Sequence, residues 1–271
     1  MTATFPDSGA PEQASRRGTR RSGRRRRPRV TIVGVIGELL ITAGVLVLLF
    51  LGWQLWWNDL VTANAQTDAA TEISQQWIKA APVAPVEPVS PDPVDYGEPI
   101  IAAPAVDGEA FAVLYVPRFG TDYHRTIAGG TGTSVLNSMR LGVGHYLDTQ
   151  MPGEVGNFAV AAHRSAYGGA LHLINELQLG DSIYVQTADG YYTYTFRDLE
   201  YVQPTQVDVI AAVPHQPGAT PTDRLITLTS CNPLYSTAER IIAYGVFEGW
   251  QPLEAGPPAE LAPIIAAQAQ D

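Results

Sequence analysis

Hydrophobic positions along this 271-residue chain fall into three regimes. From Val30 to Leu51 (VTIVGVIGELLITAGVLVLLFL) they run almost without a break, with one acid, Glu38, inside the run. About 22 such residues make a helix long enough to cross a ~30 Å hydrocarbon core at 1.5 Å per residue. GWQLWW follows and puts Trp53, Trp56 and Trp57 where aromatic side chains meet a membrane interface. Residues 58–80 then carry apolar positions at a spacing that a helix can use, and residues 81–105 (APVAPVEPVSPDPVDYGEPIIAAPA) place proline every few residues. Such a run forbids helix and favours an extended, semi-rigid spacer of ~3 Å per residue.

Between 106 and 250 the pattern changes again, to short β-branched and aromatic runs punctuated by Gly, Pro or Asp. FAVLYVP (111–117), NFAVAAH (157–163), SIYVQT (182–187), YYTYTF (191–196), VDVIAAV (207–213), RLITLTSC (224–231) and RIIAYGVF (240–247) read as strands. ADG before Tyr191 reads as a hairpin turn, and LHLINELQL (171–179), ended by Gly180, as a helix. There is no internal repeat. The pattern predicts a mainly β domain, a small barrel or sandwich with one or two short helices, preceded by a single transmembrane helix. The Pro/Ala-rich segment 251–271 reads as a disordered tail.

Charge fixes the orientation. Nine of the 17 Lys+Arg lie in residues 16–29, whereas only two of the 27 acids precede them. An arginine run can neutralise nucleic-acid phosphates, but here an apolar span follows it directly. Positive charge is retained in the cytoplasm, so the sequence predicts a single-pass cell-membrane protein that does not bind nucleic acid. Its organisation is an Arg-rich cytoplasmic tail (1–29), an anchor (30–57), a juxtamembrane segment (58–80), the spacer (81–105), an extracellular domain (106–250) and the tail. A cleaved signal peptide fits poorly, because the apolar run is too long and no A-x-A site follows it at once.

That placement gives meaning to Cys231, the only cysteine. Outside the membrane cysteines normally pair; a lone one is either an inert buried thiol or a nucleophile. It closes the run LITLTSC, and Arg240 opens the next strand, RIIAYGVF. If the two strands pair across NPLYSTAE, thiol and guanidinium meet at one sheet end, where the cation can favour a thiolate or hold developing negative charge. Otherwise Arg240 is a surface ion-pair partner. A thiol nucleophile needs an acid/base partner. Of five histidines, His163 fits best, ending the apolar strand NFAVAAH as Cys231 ends its own; His145, in GVGHYLDT, is second. His172 lies on the predicted helix, and His124 and His215 lie in polar stretches without an assigned role. HExxH, GxSxG and P-loop patterns are absent, and no metal or cofactor is implied.

LITLTSC with Arg240 nine residues on resembles the sortase signature, a TLxTC strand with a downstream Arg. NFAVAAHR resembles the sortase strand that ends in the catalytic histidine. GHYLDTQMPGEVGN, LQLGDSIYVQT, the HY and AHR-x-x-YG elements and the anchor together look most like class E sortases of actinobacteria. Ser230 stands where Thr commonly precedes the cysteine, and Ala162 where Gly commonly precedes the histidine. The resemblance implies an eight-stranded sortase β-barrel and a thiol transpeptidase. It would cleave an LAXTG- or LPXTG-like sorting signal between Thr and Gly and join the acyl group to a peptidoglycan-precursor amine. Its partners would be sorting-signal-bearing secreted proteins and a lipid-linked peptidoglycan precursor. It implies Cys231, His163 and Arg240 as the catalytic groups, with Tyr146, His145, Arg164, Tyr167 and Thr229 at the substrate. An L,D-transpeptidase, which would carry Arg two residues after the cysteine where Pro233 stands, and an inactive tethered binding module are the alternatives.

Overall fold

In the computed structural model, residues 31–81 and 95–269 are described; the Arg-rich tail and most of the proline run lie outside them. Helix α1 (Ile32–Gly52) has mean hydropathy 2.5 and no buried residue, so by length and composition it can cross a membrane. A π-helical turn (Trp53–Trp57) precedes α2 (Asn58–Ala80).

The strands are β1 (Ala110–Tyr115), β2 (His124–Gly129), β3 (Gly142–His145), β4 (Gly156–Ala162), β5 (Ser182–Gln186), β6 (Gly190–Val202), β7 (Arg224–Asn232) and β8 (Glu239–Pro252). They close into a barrel in the order β1-β2-β3-β4-β7-β8-β6-β5. The β2–β3 and β4–β7 pairs are parallel and the rest antiparallel. Alternation along each strand separates two faces. Leu114, Val143, Phe158, Val160, Ile183, Tyr192, Ile226, Leu228 and Ile241 fill the interior. The outer face of β1 and β5 is also dry: Val113, Tyr115 and Tyr184 pack there with Ala70, Ile73 and Trp77 of α2 and with Leu261, Ile264 and Ile265. The last two belong to α4 (Ala262–Gln268).

Residues 251–269 are therefore not a disordered tail. Leu253, Leu261, Ile264 and Ile265 make one apolar face that Pro and Ala hide in the composition, and Tyr184 Oη donates to Glu260 at 2.6 Å. The end of the proposed spacer is docked too. Trp250 Nε1 donates to Gly97 O at 2.9 Å, Tyr192 Oη donates to Ile100 O, and Arg224 pairs with Glu98.

Six of the seven expected strands form; VDVIAAV does not. Val207–Ile210 is a 3-10 turn whose Val209 packs with Val202 and Ile242, so the apolar run caps the sheet instead of joining it. LHLINELQL forms only a 3-10 turn at Ile174–Glu176, because Leu171, Ile174 and Leu177 turn together into the barrel mouth. β2 and β3 were missed. β3 is four residues with two glycines, and β2 opens on the polar pair His124–Arg125, which α2 buries.

His124 stacks on Tyr115 with ring centroids 5.6 Å apart, and its Nε2 lies 2.7 Å from Thr71 Oγ1. Burial, with Arg125 adjacent, lowers its pKa to about 4. The unfolded imidazole takes its proton near the ordinary value of ~6.5, whereas the folded one resists until about 4. Its contribution to stability is therefore complete above ~6.5 and lost as pH falls through that window, up to about 3 kcal/mol. Urea titrations at pH 7 and pH 4.5 should show a smaller loss of stability on acidification for His124→Asn than for the unsubstituted chain.

Candidate active site

The site is built by register. β7 and β8 pair with Cys231 opposite Arg240, as the sequence predicts. β4 runs parallel to β7 with Ala161 opposite Thr229, so the next two positions bring His163 beside Cys231. Since Ile226 and Leu228 point inward from β7, Thr227, Thr229 and Cys231 point outward. The same alternation turns His163 outward from β4, after Phe158, Val160 and Ala162, and Arg240 outward from β8, before Ile241 and Ala243. Three groups separated by 68 and nine positions thus emerge at one end of three adjacent strands, on the barrel's outer face.

The two positions that depart from the sortase consensus hold each other. Ser230 Oγ, buried, donates to Ala162 O at 2.8 Å and ties β7 to β4 one residue before both Cys231 and His163. Thr229 Oγ1 donates to Val160 O at 3.1 Å and accepts from Tyr146 Oη at 3.0 Å, fixing Tyr146 over the floor between β4 and β7. Tyr167, with φ +50°, sets its ring 5.1 Å from the His163 ring and is exposed.

Two of the expected substrate contacts are elsewhere. His145 points into the barrel and is only 1% exposed; its ring stacks on Phe158 at 5.0 Å and its Nε2 donates to Gln150 O at 3.0 Å. Burial lowers its pKa. It fixes the β3–β4 loop that carries Tyr146. Arg164 is likewise buried, donating to Asn232 Oδ1 and, at 2.9 Å, to Asn175 Oδ1. Asn232 Nδ2 in turn reaches Glu239 Oε2 at 2.8 Å. Arg164 therefore clamps the ends of β4, β7 and β8 around the thiol, a positioning task that leaves it no face for substrate.

Sequence reasoning missed Asn137. Its Oδ1 lies 2.8 Å from His163 Nε2, which places the imidazole proton on Nε2 and leaves Nδ1 as the free base. Asn137 sits just after the short helix α3 (Thr133–Leu136) in a stretch with no motif, and only the fold brings it to the histidine. Burial lowers the His163 pKa, with the Asp59 carboxylate opposing that shift, so the ring is neutral at neutral pH. Arg240 donates from one Nη to Thr237 O at 3.1 Å and to Glu239 O at 2.9 Å, which anchors one side of the guanidinium. Cys231 is half-buried and unpaired. No group of three or more His, Cys, Asp or Glu side chains able to hold a metal occurs among the described residues.

A sortase-domain profile matches residues 114–248, the stretch that carries Asn137, Tyr146, His163, Thr229, Cys231 and Arg240. Over 255 residues the chain is 33% identical to Sortase SrtE2 of Streptomyces coelicolor, covering 90% of this chain and 92% of that one. This chain belongs to the sortase family. It is 35% identical over 256 residues to Sortase SrtE1 of the same organism, covering 91% of this chain but 66% of that relative's length. Among solved structures, an SrtA sortase from Actinomyces oris superposes with TM-score 0.57 at 39% identity, over 61% of this chain and 94% of that one. Sortase E from Streptomyces avermitilis gives 0.52 at 36%, over 58% and 99%. The sortases similar to this chain thus include several of the E type, and the barrel is the sortase barrel.

Proposed function

We propose that this sortase is a cell-membrane-anchored thiol transpeptidase acting on an LAXTG- or LPXTG-like sorting signal. The observation that carries this is the convergence of Cys231, His163 and Arg240 at one end of an outward-facing floor. That floor runs along β4 and β7 from Asn157 and Thr227 to His163 and Cys231. At its far end Asn157 Nδ2 donates to Ala211 O at 3.0 Å, under the 3-10 turn that carries Val209. Cys231 lies four positions beyond Thr227, roughly 13 Å of extended chain. A four-residue acyl segment such as Leu-Ala-X-Thr matches that length. The solved Sortase E1 of Streptomyces coelicolor, 35% identical to this chain, holds a tripeptide in its active site, in keeping with a peptide-binding groove here.

In this reading the Cys231 sulfur attacks the Thr–Gly carbonyl carbon. Arg240 donates to the oxygen on which charge develops, where a preformed donor acts on the transition state more than on the ground state. Neutral His163 takes the thiol proton on Nδ1 as the sulfur attacks and delivers that proton to the departing glycine nitrogen as the C–N bond breaks, giving a Cys231 thioester and a neutral ring. An acceptor amine then loses a proton to His163, attacks the thioester and expels the thiolate. Tyr146 and Tyr167, at the edges of the floor, are the side chains placed to choose the signal. The apolar helix would anchor the protein with its Arg-rich end in the cytoplasm and the barrel outside. The acceptor would be a peptidoglycan-precursor amine.

The test is to incubate the purified full-length protein with paired LAXTG and LPXTG peptides and an amine. Cleavage between Thr and Gly with transfer to the amine is expected, faster for LAXTG. Mass spectrometry of products decides, and no cleavage of either peptide would overturn the reading.

A further inference from the structure

The peptide floor ends at Cys231, and the chain continues past it into a second space that the acyl segment does not use. A cavity of about 200 Å³ lies there, lined by Asp59 and Leu60 of α2, by Ser165, Gly169 and His172 just after the catalytic histidine, and by Tyr235 just after the catalytic cysteine. These parts are fastened together. Tyr235 N donates to Ser165 Oγ at 3.0 Å. Gln66 of α2 donates from Nε2 to Tyr167 O at 3.0 Å and to Ser138 O at 2.8 Å. Gly168, at φ +85°, approaches so closely that a Cβ there would lie 3.0 Å from Ala63 N, so α2 rests on the backbone of the histidine loop. The cavity is thus walled by the two loops that follow His163 and Cys231, with a carboxylate of α2 facing them.

The chemistry passing through that cavity is set by the reaction. The acyl half of the signal occupies the floor, so the leaving amine must depart, and the acceptor amine arrive, on the other side of Cys231. An aliphatic amine is an ammonium ion at neutral pH. Among the described residues no Lys or Arg forms an ion pair with Asp59, and the nearby Arg164 is bound to Asn232 and Asn175. Asp59 also acts electrostatically on His163, the base that must take the ammonium's proton.

We propose that Asp59 is an acceptor-binding residue: its carboxylate draws the cationic amine acceptor into the cavity between α2 and the loops after His163 and Cys231. The inference rests on the transpeptidase reading above. The held R–NH3+ gives one proton to neutral His163. The resulting R–NH2 forms a C–N bond to the thioester carbonyl carbon, and the C–S bond breaks with its electron pair remaining on sulfur. The second nitrogen proton goes to solvent, leaving an amide, a thiolate and protonated His163. Because α2 supplies the carboxylate, acceptor choice is written outside the stretch that the sortase profile matches.

The experiment uses the full-length protein in detergent, an LAXTG peptide as acyl donor and two nucleophiles. Glycinamide is largely cationic at neutral pH, and hydroxylamine is uncharged. Asp59→Asn should raise KM for glycinamide roughly fivefold, the size of one partly screened charge pair, and added salt should shrink the difference. Any effect through His163 falls alike on thioester formation and on transfer to hydroxylamine, so the glycinamide KM should rise relative to both, and Asp59→Glu should restore it. An unchanged glycinamide KM, or an equal loss for both nucleophiles, overturns the proposal. No thioester on Cys231 in either protein would overturn instead the transpeptidase reading beneath it.

Discussion

Cys231→Ala is expected to leave the protein folded and to abolish transfer. The thiol is half-buried on an outward face, so losing one sulfur removes little packing. The thioester is the reading's only covalent intermediate, and removing a nucleophile typically lowers turnover by at least about 10⁴-fold. Intact-mass analysis with excess LAXTG peptide should show an acyl adduct on the unsubstituted chain and none on Cys231→Ala. Circular dichroism should be the same for both. His163→Ala should fall nearly as far in transfer, since leaving-group protonation and acceptor deprotonation both use that ring. Full activity in Cys231→Ala would remove the thiol from the mechanism.

Arg240→Ala carries the second large effect. One side of the guanidinium is anchored on the carbonyls of Thr237 and Glu239, which aims the remaining N–H groups and limits what must reorganise during reaction. Loss of one such preformed donor costs about 10²–10³ in kcat. Arg240→Lys should recover little of it, because a single ammonium cannot bind the two carbonyls and the substrate oxygen together. Steady-state kinetics on the peptide check this. A variant that changes KM alone would make Arg240 a ground-state binding residue, and unchanged kinetics would remove it from the site.

The meeting of Cys231, His163 and Arg240 was legible because strand ends are legible. Asn-Pro after Cys231 stops a ladder, and an apolar run ending in His163 or beginning at Arg240 marks a strand boundary whatever the topology. What a linear pattern lacks is the second neighbour. Asn137 reaches His163 only because β3 and β4 place α3 beside the strand end, and nothing in GTGTSVLNSMR announces it. His145 and Arg164 were misread for a related reason. A histidine or arginine near a catalytic strand looks like a ligand for substrate until the pleat shows it pointing inward, or a pair of asparagines takes up its donors. The tail failed differently. Alternating Pro and Ala resembles a disordered composition, and the few large residues that dock it are too sparse to register as a period.

The dry outer face of β1 and β5 bears on where the protein can be cut. The proline run looks like the natural place to begin a recombinant catalytic domain, since the profile starts after it. A chain begun there would lose α2 and, with it, Ala70, Ile73 and Trp77 from their contacts with Val113, Tyr115 and Tyr184. It would present water with aromatic and β-branched residues that belong in an interior, the kind of patch that drives association. The smallest fragment with its surfaces intact therefore starts near Asn58, inside what the sequence alone would discard as a stalk.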